Sequence, residues 1–158
     1  MGETPGVSAA DWHFAIDTNL TSAFFAAKHQ LPAMLGRPGA SLIFTSSFVG
    51  HTVGIPGAAA YAASKAGLVG LAQALAAEFG PRGIRVNALL PGGTDTPMAR
   101  EMNSTPEALA QVANLHALKR MAQPQEIAQA ALFLASDASS FVTGSAMLAD
   151  GGVSINRT

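Results

Sequence analysis

The stretch ASLIFTSSFVGHTVGIPGAAAYAASKAG, residues 40–67, decides the architecture. It opens with an apolar run, Ala40–Ser47, of the length and β-forming character of a strand buried on both faces. Phe48–Ala58 is a glycine-rich loop broken by Pro56. An alanine-filled segment from about Ala59 to Phe79 then has the length of a helix, and Gly80-Pro81 stops it.

Outward from this unit the pattern repeats. Upstream, Ser8–Leu35 reads as one helix, with Ser8 as N-cap before Asp11 and with Trp12, Ile16, Leu20, Phe24 and Ala27 at helical spacing. Downstream, Ile84–Leu90 (IRVNALL) is a second buried strand, halted by Pro91-Gly92-Gly93. The polar, methionine-bearing stretch from Thr94 to Ala122 reads as loop with short helices. Pro124 then opens a helix that runs to about Ser136. Ser145–Asp150 forms a last strand before Gly151-Gly152, and no internal repeat is visible. Apolar strands alternating with helices predict an α/β fold, a parallel sheet covered on both faces. Ligands gather at the C-terminal strand ends of such sheets, which points to Ser46-Ser47 and Pro91-Gly92.

Composition narrows the function. The chain has 158 residues and no cysteine, so it has one domain's worth of core and neither a disulfide nor a thiolate metal site. No run spans a bilayer, and MGETPGVSAAD lacks the regions of a signal peptide, so a cytoplasmic protein is expected. A net charge of −1 without a basic stripe argues against nucleic acid. Charged residues make up 12% and mean hydropathy is +0.28, where a soluble domain carries about 25% charge. Such a surface relies on being covered, which predicts an oligomer or a larger whole.

Tyr61 and Lys65 lie four residues apart, on one face of the long helix. A phenol ionises near pH ~10, so acid–base work at neutral pH needs tuning by about 4 kcal/mol. One ammonium ~4 Å away supplies that at an effective dielectric of ~20, but only ~1 kcal/mol in open water. The pair is therefore competent in a cleft and ornamental on a surface. Ser47 could hydrogen-bond a substrate oxygen beside the phenol, which suits proton transfer to or from an alcohol or carbonyl.

Other polar residues carry less. His13, His29, His51 and His116 lack paired ligand spacing, so no metal site is expected. Ser47 with His51 lacks the G-x-S-x-G elbow of a hydrolase. Gly50–Gly57 (GHTVGIPG) sits between strand and helix like a dinucleotide loop, but its spacing is wrong and Pro56 removes a donor. Ala63, Gly67, Gly70, Ala74 and Ala77 form a small-residue stripe, read first as packing onto the sheet and second as a helix–helix subunit contact. Met98, Met102 and Met121 fit either a mobile apolar lid or ordinary helix filler.

The ordered set SS…YAASKAG…IRVNALLPG…DGG resembles the short-chain dehydrogenase/reductase family, and the resemblance runs from about Asp11 to Gly152. It implies a Rossmann-like, doubly wound parallel sheet and hydride transfer between NAD or NADP and a small alcohol or carbonyl substrate. By this resemblance Tyr61 is the general acid/base. Lys65 holds the nicotinamide ribose and tunes the tyrosine, and Ser47 orients the substrate oxygen. Asn19, in DTNLTSAFF, supports a water-linked proton relay to the lysine. In PGGTDT, Pro91 and Gly92 flank the nicotinamide, and Thr94 and Thr96 contact its carboxamide or the neighbouring phosphate. A homo-oligomer, dimer or tetramer, is also implied.

The family's opening strand and T-G-x-x-x-G-x-G loop have no counterpart in the sequence. Met1 falls where the family's fourth strand ends. The expectation is thus one apparently truncated domain over 1–158, the C-terminal part of the sheet with about three strands. Ala40–Ser47 would become a bare edge. The alternative function is a non-catalytic, oligomer-forming fragment that binds no dinucleotide by itself.

Overall fold

The computed structural model describes residues 2–157, with Met1 and Thr158 outside the described residues. Three strands, β1 (Ser41–Thr45), β2 (Arg85–Pro91) and β3 (Ala146–Ala149), form one parallel sheet in the order β1-β2-β3. Ser41 pairs with Arg85, and Ala88 with Ala146. β1 lies at one border of this sheet, as the sequence suggested.

The central strand shows why both faces must be covered. Val86, Asn87, Ala88, Leu89 and Leu90 are all buried. Alternation sends Val86, Ala88 and Leu90 to one face, where they join Leu68, Val69, Ala72 and Ala76 of α3 (Ala59–Phe79) and Ala27 and Leu31 of α2 (Ser22–Met34). On the other side, α6 (Pro124–Ala135) packs on β1 and β2 and contributes the fully buried Leu134. Arg85 fastens α6 to the sheet. Its guanidinium donates to the carbonyls of Leu134 and Ser136 and to Ser139 Oγ, at 2.8, 3.1 and 2.7 Å. These carbonyls are the ones a helix C-terminus leaves without intrahelical partners. Asn87, fully buried, donates to Val142 O and accepts from Ser145 N, which steers the chain into β3.

Two expectations need correction. Ser8–Leu35 is not one regular helix. Ser8 caps α1 (Ala9–Ile16) by accepting from Asp11 N, but Asp17–Thr21 forms a π turn before α2 begins. The wider turn takes up an extra residue, so the apolar spacing slips out of phase. Trp12 and Phe24 are exposed, while Ala27 and Leu31 are buried. The small-residue stripe of α3 also does not pack on the sheet. Ser64, Leu68, Val69, Ala72 and Ala76 face inward, leaving Ala63, Gly70, Ala74 and Ala77 exposed. Gly67 alone of the stripe has a packing reason, since a Cβ there would lie 2.6 Å from Leu20 Cδ2 in the π turn.

The Thr94–Ala122 stretch folds into two short helices, α4 (Pro97–Met102) and α5 (Pro106–Leu115), capped by Thr96 and Thr105. Met98 and Met102 are exposed on α4. A parallel bridge between Thr94 and Ala122 closes the stretch at its base.

Candidate active site

The C-terminal ends of β1 and β2 lie side by side. Ser46 N donates to Leu89 O at 2.8 Å and Phe48 N to Pro91 O at 3.5 Å. The first turns of α3 press against this corner because Gly50 and Ser46 allow it. Gly50 has φ 86°, and its Cα approaches the backbone of Ala62 so closely that a Cβ would sit 2.3 Å from Ala62 O. Ser46 Oγ donates to Lys65 O at 2.7 Å. Lys65 returns the link, its Nζ donating to Thr45 O at 3.0 Å.

Tyr61 and Lys65 meet as their spacing predicts, with Lys65 Nζ 5.8 Å from the centre of the Tyr61 ring. Lys65 is half-buried, and burial holds its amine below the usual lysine range. The surroundings are therefore drier than open water, the condition under which a charge here has leverage. Tyr61 is 37% exposed, enough for a small molecule to reach it. It forms part of the wall of a cleft of about 360 Å³ with Asp11, Phe14, Gly57 and Ala60.

Asn19 sits in the π turn, and its Nδ2 donates to Ser64 Oγ at 3.1 Å, while Ser64 Oγ donates to Tyr61 O at 2.8 Å. Asn19 is thereby tied to the Tyr61–Lys65 turn. Ser47 is buried at the β1 end, its Oγ accepting from Val49 N at 3.1 Å. At the β2 end, Thr94 Oγ1 donates to Gly92 O and Thr96 Oγ1 accepts from Ala99 N. Both threonine hydroxyls thus have local work in shaping the Pro91–Thr96 segment.

The ammonium and phenol project one turn apart, a donor set that suits a pair of neighbouring hydroxyls. The Gly50–Gly57 loop is closed on itself instead, with Gly50 N donating to Val53 O and a bridge joining Val49 to Val53. Sequence reasoning did not foresee what Ser46, Ser64 and His116 bind to. Their partners lie 19 to 45 residues away or in the opposing backbone, and no periodicity records such pairings.

A family model described as enoyl-(acyl carrier protein) reductase matches residues 1–154. The chain belongs to the short-chain dehydrogenase/reductase family. Among its relatives, the oxidoreductase UcpA of Escherichia coli (strain K12) is 39% identical over 164 residues, covering all of this chain and 62% of that protein. Cyclohexanol dehydrogenase of Acinetobacter sp. is 37% identical over 96% of this chain and 58% of the relative. In structure, the ligand-free aldohexose dehydrogenase of Thermoplasma acidophilum superposes with a TM-score of 0.93 at 33% identity, over 99% of this chain and 64% of that one. The chain thus spans about three fifths of the curated relatives it matches. The three-stranded sheet with its flanking helices is a partial short-chain dehydrogenase/reductase fold. No helix among the described residues is long and apolar enough to cross a membrane.

Proposed function

We propose that this chain carries the proton-transfer half of an NAD- or NADP-dependent oxidoreductase acting on a small alcohol or carbonyl compound. The observation that carries the reading is the Lys65 ammonium, half-buried, fixed to Thr45 O and held beside the Tyr61 ring. When bound, the nicotinamide supplies the hydride acceptor or donor. The chain's own residues handle the proton. Tyr61 oxygen takes it from the substrate hydroxyl in oxidation and returns it to the carbonyl oxygen in reduction. Lys65 holds the ribose hydroxyls and places positive charge near the phenol in a partly dry site. Ser47 holds the substrate oxygen, and Asn19, through Ser64, steadies the turn that carries both groups. Pro91, Gly92, Thr94 and Thr96 frame the nicotinamide. The relatives named for cyclohexanol and aldohexose make hydroxylated rings the first substrates to try.

The experiment is reduction of NAD or NADP with a panel of cyclic alcohols, comparing the parent with Tyr61→Phe. Loss of about 10²–10⁴-fold in kcat is expected for removal of a general acid/base. Undiminished activity of Tyr61→Phe overturns the assignment. A specific observation favours a second reading, a homo-oligomeric scaffold: Phe14, Phe24 and Phe25 and the outer stripe of α3 are all exposed. Fluorescence titration with NADH separates the two. Micromolar binding supports the enzyme, and no binding below millimolar together with a dimer or tetramer in sedimentation supports the scaffold.

A further inference from the structure

His116 follows the last turn of α5 and is 2% exposed. Its Nε2 lies 2.9 Å from the amide nitrogen of Gly93 at the β2 end, and its Nδ1 lies 2.9 Å from Val112 O. An amide N–H only donates, so Nε2 is the acceptor. A carbonyl only accepts, so Nδ1 carries the hydrogen. Two backbone partners thus fix the neutral Nδ1–H tautomer.

The ring is held between glycines of two strand ends. A Cβ on Gly93 would fall 2.8 Å from ring Cε1, and one on Gly151, at φ 56°, would fall 3.3 Å from Cδ2. Backbone bonds converge on the same place. Gly93 O accepts from Ala122 N at 2.9 Å, Asp95 N donates to Ala122 O at 2.8 Å, and Leu118 N donates to Gly151 O at 3.1 Å. The segment that bears α4 and α5 therefore closes onto the β2 and β3 ends around one imidazole.

We propose that His116 is a positioning residue whose neutral ring latches residues 97–122 to the Pro91–Thr96 segment, and that protonation of the ring opens the latch. Its bearing on catalysis rests on the function proposed above, whereas the latch is a property of this chain alone. A second proton would sit on Nε2 and face the Gly93 N–H, two donors opposed in a buried place. The charged groups around the ring are Arg120 and Glu126, paired with each other, and Asp150, whose carboxylate accepts from Gly152 N and Ser154 N. Lys119 lies three residues on, with Nζ donating to Asn114 O. From α5 and the β2 end the ring meets Val112 and Gly93, which do not titrate. None of these groups offers Nε2 an acceptor at hydrogen-bond distance.

The test is amide hydrogen exchange by NMR on this chain across pH, with the His116 ring followed in parallel. The protection factor of Gly93 is expected to fall at least about 10-fold as the ring protonates, while Val86 and Ala88 inside β2 stay protected. His116→Gln keeps an acceptor that does not titrate, so Gly93 should stay protected throughout. In His116→Leu, Gly93 should be unprotected at every pH with Val86 and Ala88 still protected. An equal pH-dependent loss in His116→Gln, full protection of Gly93 in His116→Leu, or a ring that stays neutral down to acid unfolding would each overturn the proposal. If His116→Leu does not fold, the comparison of the parent with His116→Gln still decides. A chain without dehydrogenase activity leaves these amide measurements unchanged, so the latch and the catalytic reading fail separately.

Discussion

Replacing Gly50 with alanine tests how the β1 end is seated on the tyrosine helix. Gly50 has φ 86°, and its new Cβ would meet Ala62 O at 2.3 Å, Ala62 C at 2.9 Å and Ala62 Cα at 3.0 Å. All three are backbone atoms of the first turns of α3, so no rotamer change can clear them. Restoring van der Waals distance needs a shift of roughly 1 Å between loop and helix. The left-handed backbone costs an alanine about 1–2 kcal/mol, and overpacking of this kind adds about 1–3 kcal/mol. The expected loss is therefore about 2–5 kcal/mol, a large share of a typical domain's stability. In urea unfolding, with a slope of about 2 kcal/mol/M, the midpoint should drop by roughly 1–2.5 M. Gly54→Ala is the control, because that glycine has nothing within 4 Å of its would-be Cβ, and its midpoint should barely move. In the reaction proposed above, the same ~1 Å displacement, carried to the Ser47 side of the loop, should also cost about 100-fold in turnover. A midpoint for Gly50→Ala within about 0.3 M of the parent, at unchanged slope, would refute the steric argument.

Three further outcomes follow from other contacts. Arg85→Met removes three donated hydrogen bonds to the end of α6. Ser139 Oγ also donates toward Leu134 O and Ser136 O and softens the loss, so about 2–3 kcal/mol is expected, read as a fall of roughly 5–10 °C in Tm. Lys119 has φ 53°; Lys119→Gly relieves ~1–2 kcal/mol of backbone strain against ~0.5–1 kcal/mol of glycine entropy, so a small rise in Tm is expected. The carboxyl of Glu126 is held by the Arg120 guanidinium and by Gln123 N, which lowers its pKa from 4.5 to about 2. Its stabilising contribution is complete above pH 4.5 and is lost as pH falls through about 2. Tm plotted against pH across that window should be flatter in Glu126→Gln.

Much of the frame could be read directly from residue order. Buried parallel strands are unbroken apolar runs, so Ser41–Thr45 and Arg85–Pro91 lie within two residues of their expected bounds. The long helix runs from Ala59 to Phe79 as expected because glycine and proline punctuate both sides. The π turn was not legible, since Asp17–Thr21 contains nothing an ordinary helix refuses; packing of Leu20 on Gly67 and of Asn19 on Ser64 accompanies it in three dimensions. The α3 stripe misled because small residues mark close approach without saying which neighbour approaches. In the site, spacing alone made Tyr61 and Lys65 neighbours on one helix face, while the role expected of them rested on the whole ordered motif set. Which serine of Ser46-Ser47 engages Lys65 was not, because adjacent strand residues point to opposite faces and the sequence does not say which face α3 will cover.

The parallel sheet also sets how the chain reaches its native state. Ser41 must find Arg85, and Ala88 must find Ala146, with a helix built between each pair and no hairpin to bring the strands together. Every ladder thus closes a loop of roughly forty residues or more before it gains a hydrogen bond, and such closures slow folding toward milliseconds to seconds. β2 is the meeting point for both, so β1, α3 and β2 can assemble before β3 arrives. Until Ala146–Ala149 docks, the far side of β2 presents unpaired amides and carbonyls to solvent, and refolding yield should fall as protein concentration rises.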